Sequence, residues 1–242
     1  MAVIEFLYPS VGNLYGEIGS TVYLRARLPE CLFVSDKMGE EPYFVSSTPD
    51  MIVMGSMTEN AQKSCAEQLT PYKERLFELI EQGCVVIATG NAWEIFTRSI
   101  LFKGSGDDAD ELFPCLGLLP FETVTDYFAR NHGKVLGEFE GMKIVGYHAR
   151  FSQVNGDAET MPFVRVTKGE GMNKSCAVDG VRYKNFFGTH LLGPLMVCNP
   201  EFTEYLLDLA GIDEPKPQPL FDTALEAYRR RLEEFEKPGM KY

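Results

Sequence analysis

Short apolar runs alternate with longer amphipathic stretches along most of the chain. Residues 3–8, 31–34, 51–54 and 84–88 are apolar runs of strand length, the first stopped by Pro9 and the third closing at Gly55. Between them, apolar positions recur at helical spacing. Residues 17–28 read as one helix. Thr70-Pro71 opens another, with a hydroxyl in the cap position and proline at the first helical position. That helix places Leu76, Leu79 and Ile80 on one face and stops at Gly83. Strands alternating with helices predict an α/β fold, a mostly parallel central sheet flanked by helices.

The second half adds other patterns. Residues 103–111 form a polar, acidic loop whose Gly104-Ser105-Gly106 has neither the preceding strand nor the third glycine of a dinucleotide motif. Residues 135–139 and 144–148, joined through Glu140-Gly141, predict a β-hairpin. Residues 163–166 and 183–187 are strand-like, and residues 200–210 are helical. Glu214-Pro215-Lys216-Pro217-Gln218-Pro219 reads as a stiff, extended linker. Beyond it, Phe221, Leu225, Tyr228, Leu232 and Phe235 make a heptad-like seam on a last helix. That seam packs either on the parent domain or on a second subunit. The division expected is a domain over residues 1–212 and a linker with a C-terminal helix over 213–242.

Composition narrows the class. With 242 residues, 45% hydrophobic and 24% charged, the chain has the make-up of a soluble globular protein. A net charge of −12 disfavours neutralising a nucleic-acid backbone. The six cysteines share no ligand spacing and several lie in apolar runs, as buried free thiols do. The N-terminus reads as a strand and not a signal peptide, and no apolar run is long enough to span a bilayer, so the expected compartment is cytoplasmic. Three histidines in separate segments make a metal site improbable.

One segment carries candidate chemistry. The run at 84–88 ends abruptly in Thr89-Gly90-Asn91-Ala92, and Trp93-Glu94-Ile95-Phe96 continues as a helix. A strand turning sharply into a helix through small residues is the geometry of a nucleophile elbow. Ser or Cys usually stands there, made reactive by a neighbouring base. Thr89 is β-branched and hindered, and its position before a helix also suits a plain N-cap.

Two further segments frame Thr89. Asn13-Leu14-Tyr15-Gly16-Glu17-Ile18-Gly19 with Leu24-Arg25-Ala26-Arg27, and Tyr183-Lys184-Asn185-Phe186-Phe187-Gly188-Thr189 with Gly193-Pro194-Leu195 and Asn199, resemble the class I glutamine amidotransferase-like family. The likeness spans residues 8 to 207 and points to the branch with the glutaminase subunit of lipid II isoglutaminyl synthase. The amidotransferase domains of cobyric acid synthase and cobyrinic acid diamide synthase are more distant. The resemblance implies a flavodoxin-like sheet, glutamine amide hydrolysis, no cofactor, and a partner subunit of the Mur-ligase class in cell-wall metabolism.

The departures fall on the chemistry. The family's elbow reads Ile-Cys-Gly-Gly-Tyr-Gln, and Thr89 stands at its Cys. Its catalytic His corresponds to Leu192, and its Gly-Gly-Gly oxyanion loop to Gly55-Ser56-Met57. Of its following Asp-Arg-Glu-Gln, only Gln62 is kept. Cys84 is a poor substitute nucleophile, about 16 Å upstream and on the opposite strand face. His190 is the better substitute base, although a hydrogen-bonded structural His is the simpler reading. Arg150 either holds a carboxylate at the mouth of the site or is solvated. His148 ends a strand, and His132 sits in a turn. The expectation is therefore a binding or partner protein with lost glutaminase chemistry. The rival is an amidotransferase or amidohydrolase using Thr89 and His190, with Gly55, Ser56, Met57, Gln62, Gly90 and Arg150 around the substrate. The C-terminal helix offers a second route to association, as a homodimer.

Overall fold

The computed structural model describes residues 1–213 and 218–237. Strands β1 (Val3–Phe6), β2 (Leu32–Ser35), β3 (Met51–Met54) and β4 (Val85–Thr89) alternate with α1 (Ile18–Arg27), α2 (Tyr43–Ser46), α3 (Glu59–Leu69) and α4 (Lys73–Glu81). Short strands β5 (Ser99–Phe102), β6 (Glu111–Pro114) and β7 (Glu122–Thr125) follow. A hairpin of β8 (Asn131–Phe139) and β9 (Met142–Arg150) leads to β10 (Ser152–Asn155) and β11 (Pro162–Lys168). Then come β12 (Val178–Tyr183), β13 (Phe186–Thr189), α5 (Leu195–Cys198), α6 (Pro200–Leu209) and α7 (Pro219–Glu236).

Nine strands build the central sheet in the order β2-β1-β3-β4-β13-β12-β11-β8-β9. The five from β2 to β13 run parallel, and the four beyond β13 continue antiparallel. Strands β3 and β4 are buried on both faces, which is why they read as unbroken apolar runs. Side-chain alternation divides them between two cores. Ile52, Met54, Val86 and Ala88 face α2, α3 and α4, while Met51, Val53, Val85 and Ile87 face α1, α5 and α6.

The hairpin turn is the one expected, with Glu140 (φ 46°) and Gly141 (φ 82°) both left-handed, as a two-residue loop requires. Four features differ from expectation, the first being Thr70, which caps no helix: its hydroxyl donates back to Ala66 O of α3 at 2.8 Å. Residues 183–187 are not one strand but the turn between β12 and β13, with Lys184 at φ 52°. Helix α3 was not foreseen, although Thr58 caps it by accepting from Ala61 N at 3.3 Å. A second sheet, β10-β7-β5-β6, packs beside the elbow.

Within the linker, residues 214–217 lie outside the described residues. The seam of α7 is used at home. Tyr228 and Phe235 are buried against Leu136 of β8 and Val145 of β9, with Leu225 and Leu232 beside them. The Tyr228 hydroxyl donates to Lys143 O at 2.7 Å, and Lys168 donates to the Phe235 carbonyl. The seam thus packs on the parent domain, the first of its two expected alternatives. No described helix is long and apolar enough to cross a membrane.

Candidate functional site

Thr89 is the last residue of β4, hydrogen-bonded in register beside Thr189 of β13. Gly90 turns the chain at φ +59°, and a 3-10 turn, Gly90–Phe96, leaves the sheet. The Thr89 hydroxyl makes no cap hydrogen bond to that turn. It donates instead to Glu17 Oε2 at 2.6 Å, across 72 residues of sequence. The N-cap reading is therefore corrected: a buried carboxyl is a stronger acceptor within reach.

The loop before α1 aims Glu17 inward. Tyr15 (φ 60°) and Gly16 (φ 82°) are both left-handed, and Asn13 Oδ1 accepts from Ile18 N at 2.8 Å. The same loop lies on Gly55, where a Cβ would stand 2.3 Å from Gly12 O. Burial pushes the Glu17 carboxyl up to about 7, against the pull of the Thr89 hydrogen bond.

The positions expected to form an oxyanion loop are engaged. Met57 N donates to Asn91 Oδ1 at 3.0 Å, and Asn91 Nδ2 donates to Met57 O at 2.9 Å. A Cβ on Gly90 would meet Ser56 Cβ at 2.5 Å and Leu192 Cδ2 at 2.9 Å, so these two side chains cover the elbow. Leu192 is fixed there by exchanging backbone hydrogen bonds with Tyr147 at 3.2 and 3.0 Å.

His190 does not reach Thr89. Its Nε2 bonds Glu94 Oε1 at 3.0 Å, and its Nδ1 lies 3.5 Å from Asp179 Oδ1. His148 Nε2 bonds the same Asp179 oxygen at 3.0 Å. The Thr189 hydroxyl and His190 N donate to the other. Burial raises the Asp179 carboxyl, but the two imidazoles outweigh it and hold the acid well below its usual range. Glu94 also accepts from Ser152 Oγ and, at 2.9 Å, from Gln62 Nε2. The result is a buried polar chain, His148–Asp179–His190–Glu94, running behind the elbow.

In front lies a cavity of about 130 Å³. Ser56, Met57, Gln62, Gly90, Arg150, His190 and Leu192 line it, whereas Thr89 does not and Gly55 borders a smaller recess with Glu17. Met57 also belongs to the core beneath the sheet. Arg150 is not solvated. It is buried, and its guanidinium donates to the carbonyls of Ser152, Met172 and Gly171.

Sequence reasoning missed Glu17, Glu94, Asp179 and the role of Asn91. A signal existed for two of them: Glu94 and Asp179 are lone acids inside apolar stretches, Ala92–Phe96 and Val178–Val181. Chemically, the elbow offers a hydroxyl with a carboxyl beside it, no imidazole bonded to that hydroxyl, and a Met57 N–H already paired.

Comparison with known proteins agrees with this architecture. The chain is 28% identical over 201 residues to the lipid II isoglutaminyl synthase (glutamine-hydrolyzing) subunit GatD of Staphylococcus aureus, covering 82% of this chain and 79% of that one. Against the same subunit of Streptococcus pneumoniae the identity is 23% over 218 residues, 86% and 79% covered. A solved glutamine amidotransferase shares the fold, with a TM-score of 0.56 at 13% identity over 86% of this chain and 99% of that one. The CobB/CobQ-like glutamine amidotransferase domain matches residues 8–197. By that match, which spans the elbow, the Gly55 loop and the Leu192 segment, the chain belongs to the CobB/CobQ-like glutamine amidotransferase family.

Proposed function

We propose that this protein is a glutamine amidotransferase-like subunit that no longer hydrolyses glutamine and acts by binding. The observation that carries the reading is the Thr89 hydroxyl donating to Glu17 at 2.6 Å while His190 is bound to Glu94 and Asp179. A nucleophile needs a base that takes its proton and room for the carbonyl it attacks. Ser56 and Leu192 occupy that room, and Asn91 holds the Met57 N–H an oxyanion would use. The relatives are named as subunits of an enzyme acting on lipid II. By analogy, the binding partner is a Mur-ligase-like protein in cytoplasmic cell-wall metabolism. The unit that docks is the domain of residues 1–212, with α7 as its brace.

A second reading has its own observation. Glu17, with its carboxyl at about 7, is a base beside the Thr89 hydroxyl. It would make Thr89 a nucleophile with Glu17, not His190, as its activator. One assay tests both readings: purified protein incubated with glutamine, with ammonia measured against a Thr89→Ala control. No release above the control supports the binding role. Turnover lost in Thr89→Ala and in Glu17→Gln overturns it in favour of the second reading.

A further inference from the structure

The elbow cavity holds a second hydroxyl with a carboxylate beside it, on residues other than Thr89 and Glu17. Ser152 opens β10 and lines the cavity, and its Oγ donates to Glu94 Oε1. Glu94 lines the same cavity and is only 1% exposed. Gln62 Nε2 donates to its Oε2 at 2.9 Å. Facing a carboxylate, His190 Nε2 carries the ring proton and donates to Oε1 at 3.0 Å. These two bonds hold the carboxylate in one orientation, with Ser152 and His190 meeting on the same oxygen. Behind the imidazole, Asp179 lies 3.5 Å from Nδ1.

Arg150 supplies a donor next to this pair. It lines the cavity too, and its Nη1 donates to the Ser152 carbonyl, so guanidinium and hydroxyl are neighbours. Nη1 and Nη2 are also bound to the carbonyls of Met172 and Gly171. The Nε–H has no hydrogen-bond partner among the described residues. A buried donor left unpaired costs free energy unless an acceptor in the cavity meets it. A charged N–H of this kind suits an oxygen that gains negative charge during a reaction.

We propose that Ser152 is the nucleophile of a site that hydrolyses small carboxylic esters, with Glu94 as its base and the Arg150 Nε–H as its oxyanion donor. Ser152 Oγ attacks the carbonyl carbon of the ester while its proton passes to Glu94. The carbonyl oxygen takes up the negative charge beside Arg150. Collapse of the adduct breaks the bond to the alcohol, which leaves with the proton from Glu94, and the acyl group stays on Ser152. Water then gives a proton to Glu94 and attacks the acyl carbon. The acid is released, and the proton returns from Glu94 to Ser152. An alcohol leaves more readily than an amine, which asks less of a carboxyl acting as the acid. The cavity of about 130 Å³ sets the size, and its apolar wall of Met57, Phe151 and Leu192 suits a short acyl group. Thr89 takes no part, so the site is compatible with the loss of glutamine hydrolysis there.

The test is p-nitrophenyl acetate on the full-length protein, with nitrophenolate followed by absorbance and the acetylated residue mapped by peptide mass spectrometry. Saturable release with the acetyl group on Ser152 is expected. Ser152→Ala should lose both. Glu94→Gln, which cannot take the proton, should slow release about 10²–10⁴-fold. Arg150→Lys keeps the charge without the Nε–H and should slow it about 10²–10³-fold. Melting curves check that the variants fold, and the peptide map of the unaltered protein stands apart from them. An acetyl group found only on lysines or on Thr89, or release unchanged in folded Ser152→Ala, would overturn the proposal. So would equal rates on p-nitrophenyl octanoate, whose chain exceeds the cavity, because the reaction would then lie outside it. Ammonia release from glutamine reads Thr89 and this ester reads Ser152, so either reading can fail alone.

Discussion

Asn91 clamps the backbone of Met57 from both sides, accepting its N–H at 3.0 Å and donating to its carbonyl at 2.9 Å. The family's elbow pattern places glycine at the position of Asn91, and glycine has no side chain with which to make this clamp. Met57 and Asn91 are thus coupled: while the clamp holds, the Met57 N–H is not available to a developing oxyanion.

The first prediction follows from that clamp. Thr89→Cys alone should release no ammonia from glutamine, because it supplies neither the imidazole nor the free N–H. Thr89→Cys/Leu192→His restores the two reacting side chains, and adding Asn91→Gly frees the donor. One oxyanion donor contributes about 10²–10³ in rate, so the triple variant should exceed the double by about that factor. Ammonia release from the three proteins measures it. A fast Thr89→Cys single variant would mean that His190 turns to serve as base.

Glu17 should make stability depend on pH. Its carboxyl titrates at about 7 in the folded protein and at its ordinary value near 4.5 when unfolded. Between these values the folded chain holds a proton that the unfolded chain releases. The contribution is therefore complete below pH ~4.5 and lost as pH rises through ~7, about 3 kcal/mol in all. Glu17→Gln keeps an acceptor for Thr89 and should flatten the curve over that interval. Urea unfolding from pH 4.5 to 8 checks this, and parallel curves for the two proteins would exclude a buried acid at Glu17.

Asp179 should behave in the opposite sense. Its carboxyl is depressed, so its contribution is present above pH ~4 and lost as pH falls through the depressed value. Asp179→Asn removes the charge that His148 and His190 share and leaves their N–H groups with a weaker acceptor. A loss of about 3–5 kcal/mol at pH 7 is expected, narrowing in acid. Denaturant midpoints of the two proteins that stay equal at pH 7 would show that the pair of histidines does not need the charge.

How far the sequence led is clear from particular residues. Strand β4, helix α6 and the Glu140-Gly141 hairpin were legible because each carries a local signal: an apolar run, a periodic face, a turn dipeptide. Strands β5, β6, β7 and β10 are four residues each and gain their meaning only from pairing with one another, which periodicity does not register. Strand β12 was hidden because Asp179-Gly180 interrupts its apolar pattern, and that interruption is the polar cluster itself. At the elbow, the turn at Thr89 was readable but its partner was not. Glu17 belongs to another segment, and only the left-handed pair Tyr15-Gly16 brings it in.

The last prediction concerns α7. Tyr228 and Phe235 are 6% and 2% exposed, buried on the β8–β9 hairpin, and each aromatic of this kind contributes about 1.5–3 kcal/mol on leaving water. Arg27 of α1 adds a polar anchor at the other end, donating to Gln218 at 3.0 Å. The hairpin it covers includes β9, the edge of the central sheet, so removing the helix also bares Leu136 and Val145. Deleting residues 214–242 should therefore lower the melting temperature by about 5–15 °C, at about 2–4 °C per kcal/mol for a chain of this size. Tyr228→Phe, which loses only the hydrogen bond to Lys143 O, should cost about 1 kcal/mol. If the truncated protein melted with the full chain and light scattering showed an assembly lost on truncation, the helix would be bound to another molecule in solution and not to its own sheet.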